Sequence, residues 1–329
     1  MTGNPGIRWL VMFVFMALAS QGAVSHHANA QSESMRGDRM PYAAFDRLAK
    51  TGIDVSGGAI EVAFAPGDVA LPRDKVLDWI RASARAVSTY YGRFPVGSLK
   101  LLLVPVDGAR VRGGTTWGHR GAAIRVLLGR ESGEDDLRRD WVMVHEMVHL
   151  ALPEIAPRHA WLSEGLAVYV EPVARVQAGD LTASEAWRAM MRDMPQGLPQ
   201  AGDRGLDNTD SWGRKYWGGA MFCLLADIEI RKRTNNRMGL QDAMRAVIAA
   251  GGNHEVVWPI ERVLATADQA IGVNVLTHLH DEMGAKAVTP DIAGLWRDLG
   301  LRLQNGILDF DDTAPLAAIR AAITKPPAG

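Results

Sequence analysis

His145 and His149 stand four residues apart in His145-Glu146-Met147-Val148-His149, and no other stretch restricts the fold of this 329-residue chain so strongly. On an α-helix that spacing is just over one turn, which puts the two imidazoles about 40° apart on one face. Two neutral imidazoles so placed can grip a single Zn²⁺. Glu146, about 100° around from His145, then reaches the water on that ion rather than the ion itself. The spacing therefore predicts a helix through this stretch, with its histidine face turned to a cleft.

Trp161-Leu162-Ser163-Glu164-Gly165 offers a third ligand, Glu164. The 14 residues between His149 and Glu164 include Pro153 and Pro157, which end the first helix and let the chain turn back. A second helix starting near Ala160 then points Glu164 at the histidines. Three protein ligands leave a fourth position for water, as catalytic rather than structural zinc requires. Zinc lowers the pKa of such a water to about 7, and Glu146 takes its proton and passes it to a leaving amine. Taken singly, the histidines are ordinary core or surface residues and Glu164 a solvated carboxylate. Taken together they predict a hydrolase with one Zn²⁺ per chain.

The net charge is −1, so nothing suggests a surface for polyanions and nucleic-acid recognition has no support. Apolar residues make up 47% and charged residues 22%, enough to build one large domain or two subdomains around a shared cleft. Cys223 is the only cysteine, which rules out an intramolecular disulfide and leaves the fold to its apolar core. Its apolar neighbours mark it as a packing residue.

Arg8 is the only charged side chain before Glu33, and Trp9 to Ala19 is unbroken apolar sequence. That run is too short to span a bilayer, which takes roughly 20 residues, but it suits a secretory signal. Ala28-Asn29-Ala30 supplies a cleavage site, with Ala23-Val24-Ser25 as the alternative and an uncleaved anchor as the competing reading. The expectation is a signal peptide over 1–30, export to a periplasmic or extracellular space, and no stable membrane anchor after cleavage.

The mature chain reads as α+β. A mixed subdomain over 31–152 holds strands at Ala59–Phe64, Leu101–Val104 and Ala122–Leu128. Its helix behind Pro72 has Val76, Ile80, Ala84 and Val87 on one stripe. Gly113–Gly121 reads as a loop, and Glu134, Asp135 and Asp136 as the start of the histidine helix. A helical subdomain over 153–329 follows, with helices near 160–171, 183–192, 211–233, 239–249, 259–270, 274–283, 292–301 and 314–324. Pro195–Asp210, rich in proline and glycine, is a candidate lid or wall loop.

His145–His149 followed by Trp161-Leu162-Ser163-Glu164-Gly165-Leu166-Ala167 resembles the gluzincin metallopeptidases, whose pattern is HExxH then W-L-x-E-G-x-A. Within that clan it is similar to the glycyl aminopeptidase-like and alanyl aminopeptidase-like families. The resemblance implies a zincin-like fold with the cleft between the two subdomains. It implies a peptide or protein substrate, with His145, His149 and Glu164 on zinc and Glu146 as base. It also implies a tyrosine that stabilises the oxyanion, and Tyr216 in Tyr216-Trp217-Gly218-Gly219-Ala220 fits it, against a plain packing role. The substrate would lie along an edge strand before the motif helix, a place that Gly121–Leu128 holds in chain order with Gly113–Gly118 as its rim, and a simple structural hairpin is the alternative. The spacer between His149 and Glu164 is shorter than in the alanyl type, and the G-x-M-E-N segment that binds a substrate amine is absent. These departures leave the aminopeptidase label unsupported. A zinc-binding domain that has lost turnover and acts as a binding module is the alternative, which retention of Glu146 opposes.

His119, His159, His254, His278 and His280 have no partner at ligand spacing and read as ordinary residues. Trp141, Trp161, Trp212 and Trp217 read as core, and Glu171, seven residues after Glu164 on the same face, as a solvated carboxylate, with support of the metal ligands as the alternative.

Overall fold

The structure, a computed structural model, describes residues 35, 37 and 39–326; the expected signal peptide lies outside the described residues. A short helix, α1 (Tyr42–Arg47), leads into an antiparallel pair, β1 (Lys50–Val55) and β2 (Gly58–Phe64). Helix α2 (Arg73–Tyr91) crosses back to β3 (Ser98–Val106), which pairs with β2 in parallel. Pro72 precedes α2, and the expected stripe of Val76, Ile80, Ala84 and Val87 is fully buried.

β4 (Val111–Trp117) and β5 (Ala123–Gly129) are antiparallel to each other, and β5 runs parallel to β3. The order across the sheet is therefore β1-β2-β3-β5-β4. This corrects two expectations. Gly113–Gly121 is mostly strand rather than loop, and Gly121–Leu128 forms an interior strand rather than the edge. The reason lies in the side chains: β5 is buried along nearly its whole length and apolar but for Arg125, as suits a strand paired on both edges and covered on both faces. The glycines and threonines of β4 remain half-exposed at the edge. β3 shows the same two-sided burial, with Leu99, Leu101 and Leu103 on the main core. Leu102 and Val104 pack with Phe45 and Met40 on the other face.

The acidic run forms its own short helix, α3 (Glu134–Arg138), and the histidine helix α4 (Val142–His149) starts afresh. Asp140 makes the break, because its carboxylate accepts hydrogen bonds from the backbone N–H groups of Val142 and Met143, both at 3.0 Å.

After Pro157–His159, a single 3₁₀ turn, come α5 (Ala160–Ala178) and α6 (Ala183–Asp193). α5 runs through Pro172 beyond its expected end, because Val170, Val173 and Ala174 continue its buried face. A wide π-helical turn, Arg214–Gly218, runs into α7 (Gly219–Arg233). Then follow α8 (Leu240–Ala249), α9 (Ile260–Ile271), α10 (Leu276–Met283) and α11 (Ile292–Asp298). A hairpin of β6 (Leu301–Gln304) and β7 (Ile307–Phe310) precedes α12 (Ala317–Thr324). The hairpin stands where helix was expected to reach Leu301. Asn305 and Gly306 both adopt positive φ (50° and 78°), as a tight two-residue hairpin turn requires.

Buried residues of both halves form one continuous core, and Cys223 lies within it. Among the described residues no helix is long and apolar enough to cross a membrane.

Candidate metal centre

α4 packs beneath the edge strand β4 and against α5, and this sandwich assembles the site. His145 and His149 are buried on α4 with their rings 4.8 Å apart. Glu164, in the second turn of α5, brings Oε2 to 3.3 Å from His145 Nε2 and 3.5 Å from His149 Nε2. Two ligand atoms on a tetrahedral Zn²⁺, with bonds of roughly 2.0–2.1 Å, stand about 3.3 Å from each other. The donor set and its spacing fit zinc. Ser163 adds a contact the sequence reading did not find: its Oγ lies 3.0 Å from His149 Nδ1. That bond holds the imidazole with Nε2 free to bind metal. Burial pushes Glu164 up, but the two histidines outweigh it and hold the carboxyl well below the usual range.

Glu146 is buried one residue along from His145, and β4 fixes it. The Thr116 hydroxyl lies 2.6 Å from Glu146 Oε2 and 2.9 Å from the Glu146 carbonyl oxygen, and donates to one of them. A Cβ on Gly114 would come within 2.4 Å of Glu146 Cγ, so the strand passes this close only because position 114 has no side chain.

Tyr216 arrives from the π-helical turn and stacks on His145, ring centroids 6.4 Å apart, with Trp212 stacked behind it at 5.6 Å. Burial first, then the charges of Glu164 and Glu146, push its phenol up to about 12. It is a protonated hydrogen-bond donor at neutral pH.

A cavity of about 230 Å³ is bounded by these side chains and by His254. His254 was read as ordinary, since nothing near it in sequence marks it. Segment 253–258 docks beside 150–154: His254 N–H donates to the Leu150 carbonyl at 3.1 Å and Trp258 N–H to that of Glu154 at 3.0 Å. Burial, then the neighbouring His149, push the His254 imidazole down, so it is neutral at pH 7.

His159 and His280 are also not isolated. Asp207, in the Pro195–Asp210 segment, takes His159 Nδ1 at 2.6 Å, Trp161 Nε1 at 2.8 Å and His280 Nε2 at 2.8 Å. These are hydrogen-bond distances. The cluster ties the loop to the start of α5, just before Glu164, and to α10. His119 and His278 have no part in either group.

Two further expectations fail. Glu171 is buried against Arg175 at 2.7 Å, and burial pushes its carboxyl up to about 7. Trp141 and Trp212 lie on the surface rather than in the core.

No protein-family model matches the sequence, and no curated protein matches it significantly. Solved structures do. An aminopeptidase N family protein from Idiomarina loihiensis superposes with a TM-score of 0.60 at 14% identity, covering 78% of this chain and 50% of its own. An M1 zinc metallopeptidase from Deinococcus radiodurans gives 0.48 at 16% identity, with 74% of this chain and 53% of that one covered. The chain thus spans about half the length of these structures. Its α+β fold, a mixed sheet followed by helices, is that of the aminopeptidase N-like domain.

Proposed function

We propose that this chain is an exported zinc peptidase of the gluzincin type, with one Zn²⁺ held by His145, His149 and Glu164. The observation that carries the reading is the ligand triangle itself: three donor atoms within 4.8 Å of one another, with Glu164 Oε2 3.3 and 3.5 Å from the two imidazole nitrogens, and Glu146 on the adjoining helical face. When bound there, zinc supplies Lewis acidity and lowers the pKa of water to about 7.

The chain's own groups supply the rest. Glu146, aligned by Thr116, takes the proton of the attacking water and delivers it to the leaving amine. Tyr216 donates a hydrogen bond to the oxygen that becomes negative. Among the described residues β4 is the outer strand of the sheet, and its edge beside Glu146 pairs with the backbone of a peptide. The substrate is a peptide or protein that lies between a mixed subdomain (31–152) and a helical one (153–329). Residues 1–30 act as the signal for export to a periplasmic or extracellular space.

Elemental analysis after metal-replete purification tests the site. The expected result is about one zinc per chain in the wild type and a large loss in Glu164→Ala. Less than about 0.2 zinc per wild-type chain would sink the reading.

A further inference from the structure

A second cavity, of about 490 Å³, opens directly beside the metal centre and shares His145 and Tyr216 with it. Val168, Pro172 and Met190 contribute apolar surface, and Trp141 and Trp212 add aromatic walls. Trp141 meets His145 edge-on at 5.3 Å, and Trp212 stacks on Tyr216, so the aromatic surface is continuous with the reaction centre. Trp141 and Trp212 are 52% and 59% exposed, while Trp161 and Trp187, which serve the core, are 2% and 1% exposed. Exposed aromatic surface gathered around a concavity marks a place where another apolar group belongs.

Five of the six charged side chains around this cavity are in ion pairs, and the sixth, Glu185, is held by the neutral Thr182. Glu171 holds Arg175, Arg192 holds Asp193, Arg139 reaches Asp135, and Glu185 is engaged by Thr182. A charged side chain entering here would lose hydration against the tryptophan and aliphatic walls, with Glu185 alone left without an opposite charge. A large neutral side chain would instead bury its surface against tryptophan and aliphatic carbon, and an aromatic one offers roughly 150–250 Å².

We propose that this cavity is the selectivity subsite. It takes the side chain of one of the two residues that flank the scissile bond, always on the same side, and selects large apolar residues, aromatic above all, over charged ones. The proposal rests on the peptidase reading of the adjacent centre.

Two measurements separate the subsite from that reading. Saturation-transfer NMR on zinc-loaded Glu146→Gln protein compares N-acetyl-phenylalaninamide with N-acetyl-lysinamide. Saturation should reach the phenyl ring at least five-fold more strongly than the lysine chain. It should fall to background in Ala189→Phe, which fills the cavity, and weaken in Trp212→Ala, a surface change that spares the fold. Equal saturation of the two compounds, or an undiminished phenyl signal in both variants, overturns the subsite whether or not the protein turns over. A peptide library digested by the wild type should show at least ten-fold enrichment of Phe, Tyr, Trp, Leu or Met at one flanking position. Cleavage without that preference, or with a charged preference, refutes the subsite and leaves the peptidase standing. An intact binding pattern with no cleavage of any peptide refutes the peptidase reading, and with it a place beside a scissile bond, and leaves the cavity as an aromatic-binding site only.

Discussion

Gly165 of α5 and Gly219 of α7 touch backbone to backbone: a Cβ at Gly165 would lie 2.3 Å from Gly219 Cα. A Cβ at Gly219 would in turn lie 1.9 Å from the Trp161 carbonyl oxygen. The two glycines belong to the segments that carry Glu164 and Tyr216. Their contact lets the two helices approach without an intervening side chain, which sets the carboxylate and the phenol around one centre.

Gly165→Ala should therefore force the helices apart. Overpacking of this kind costs about 1–3 kcal/mol, read as a lower urea midpoint, and Glu164 should move with α5, weakening zinc binding. Unchanged stability and unchanged zinc affinity would show that the contact does not position the site.

Tyr216→Phe removes the donor and keeps the ring stacked on His145. Loss of one oxyanion donor costs about 10²–10³ in kcat, so kcat should fall by that order with little change in KM or zinc content. A kcat within two-fold of wild type would return Tyr216 to a packing role.

Thr116→Val deletes the hydroxyl that holds Glu146 while leaving β4 intact. Loss of such a supporting contact typically costs about 10–100-fold, here expected in kcat, and Thr116→Ser should restore most of it. Equal rates for the Val and Ser variants would mean the hydroxyl does not align the base.

The Asp207 cluster gives a pH signature. Its hydrogen bond raises the His280 pKa, so the stability this contributes is complete below the unfolded value of about 6.5 and is lost as pH rises through the raised folded value. Asp207 is opposed by burial but held well below its usual range by His280, Trp161 and His159, so its share is lost only in strong acid. Asp207→Asn should therefore lower Tm most near pH 5–6, on the order of 2–4 °C, and the gap to wild type should narrow towards pH 9. A gap independent of pH would exclude the ionised pair as its source.

The ligand triangle was legible in sequence because each part has a local signature: one helical turn for the histidines, two prolines to reverse the chain, and a helix start at Ala160. Most helices were legible for the same reason, through their apolar stripes. The sheet was less so. β4 is glycine- and threonine-rich with no apolar alternation, so its role as the edge that fixes Glu146 showed only once β5 was seen between it and β3.

His254 and Asp207 were illegible for a different reason. They reach their places through docking of segments about 100 and 50 residues from the partners they meet, Leu152 and His159, and no spacing rule encodes that. Trp141 and Trp212 misled because aromatic residues near a motif usually pack inward. Here they border a cavity.

Hydrolysis of a peptide library by zinc-loaded wild type beside zinc-loaded Glu146→Gln tests the central claim most directly. The account predicts discrete cleavage by the wild type, a loss of about 10²–10⁴-fold in the variant, and equal zinc in both. Equal hydrolysis by the two proteins, or none by a fully zinc-loaded wild type, would contradict it.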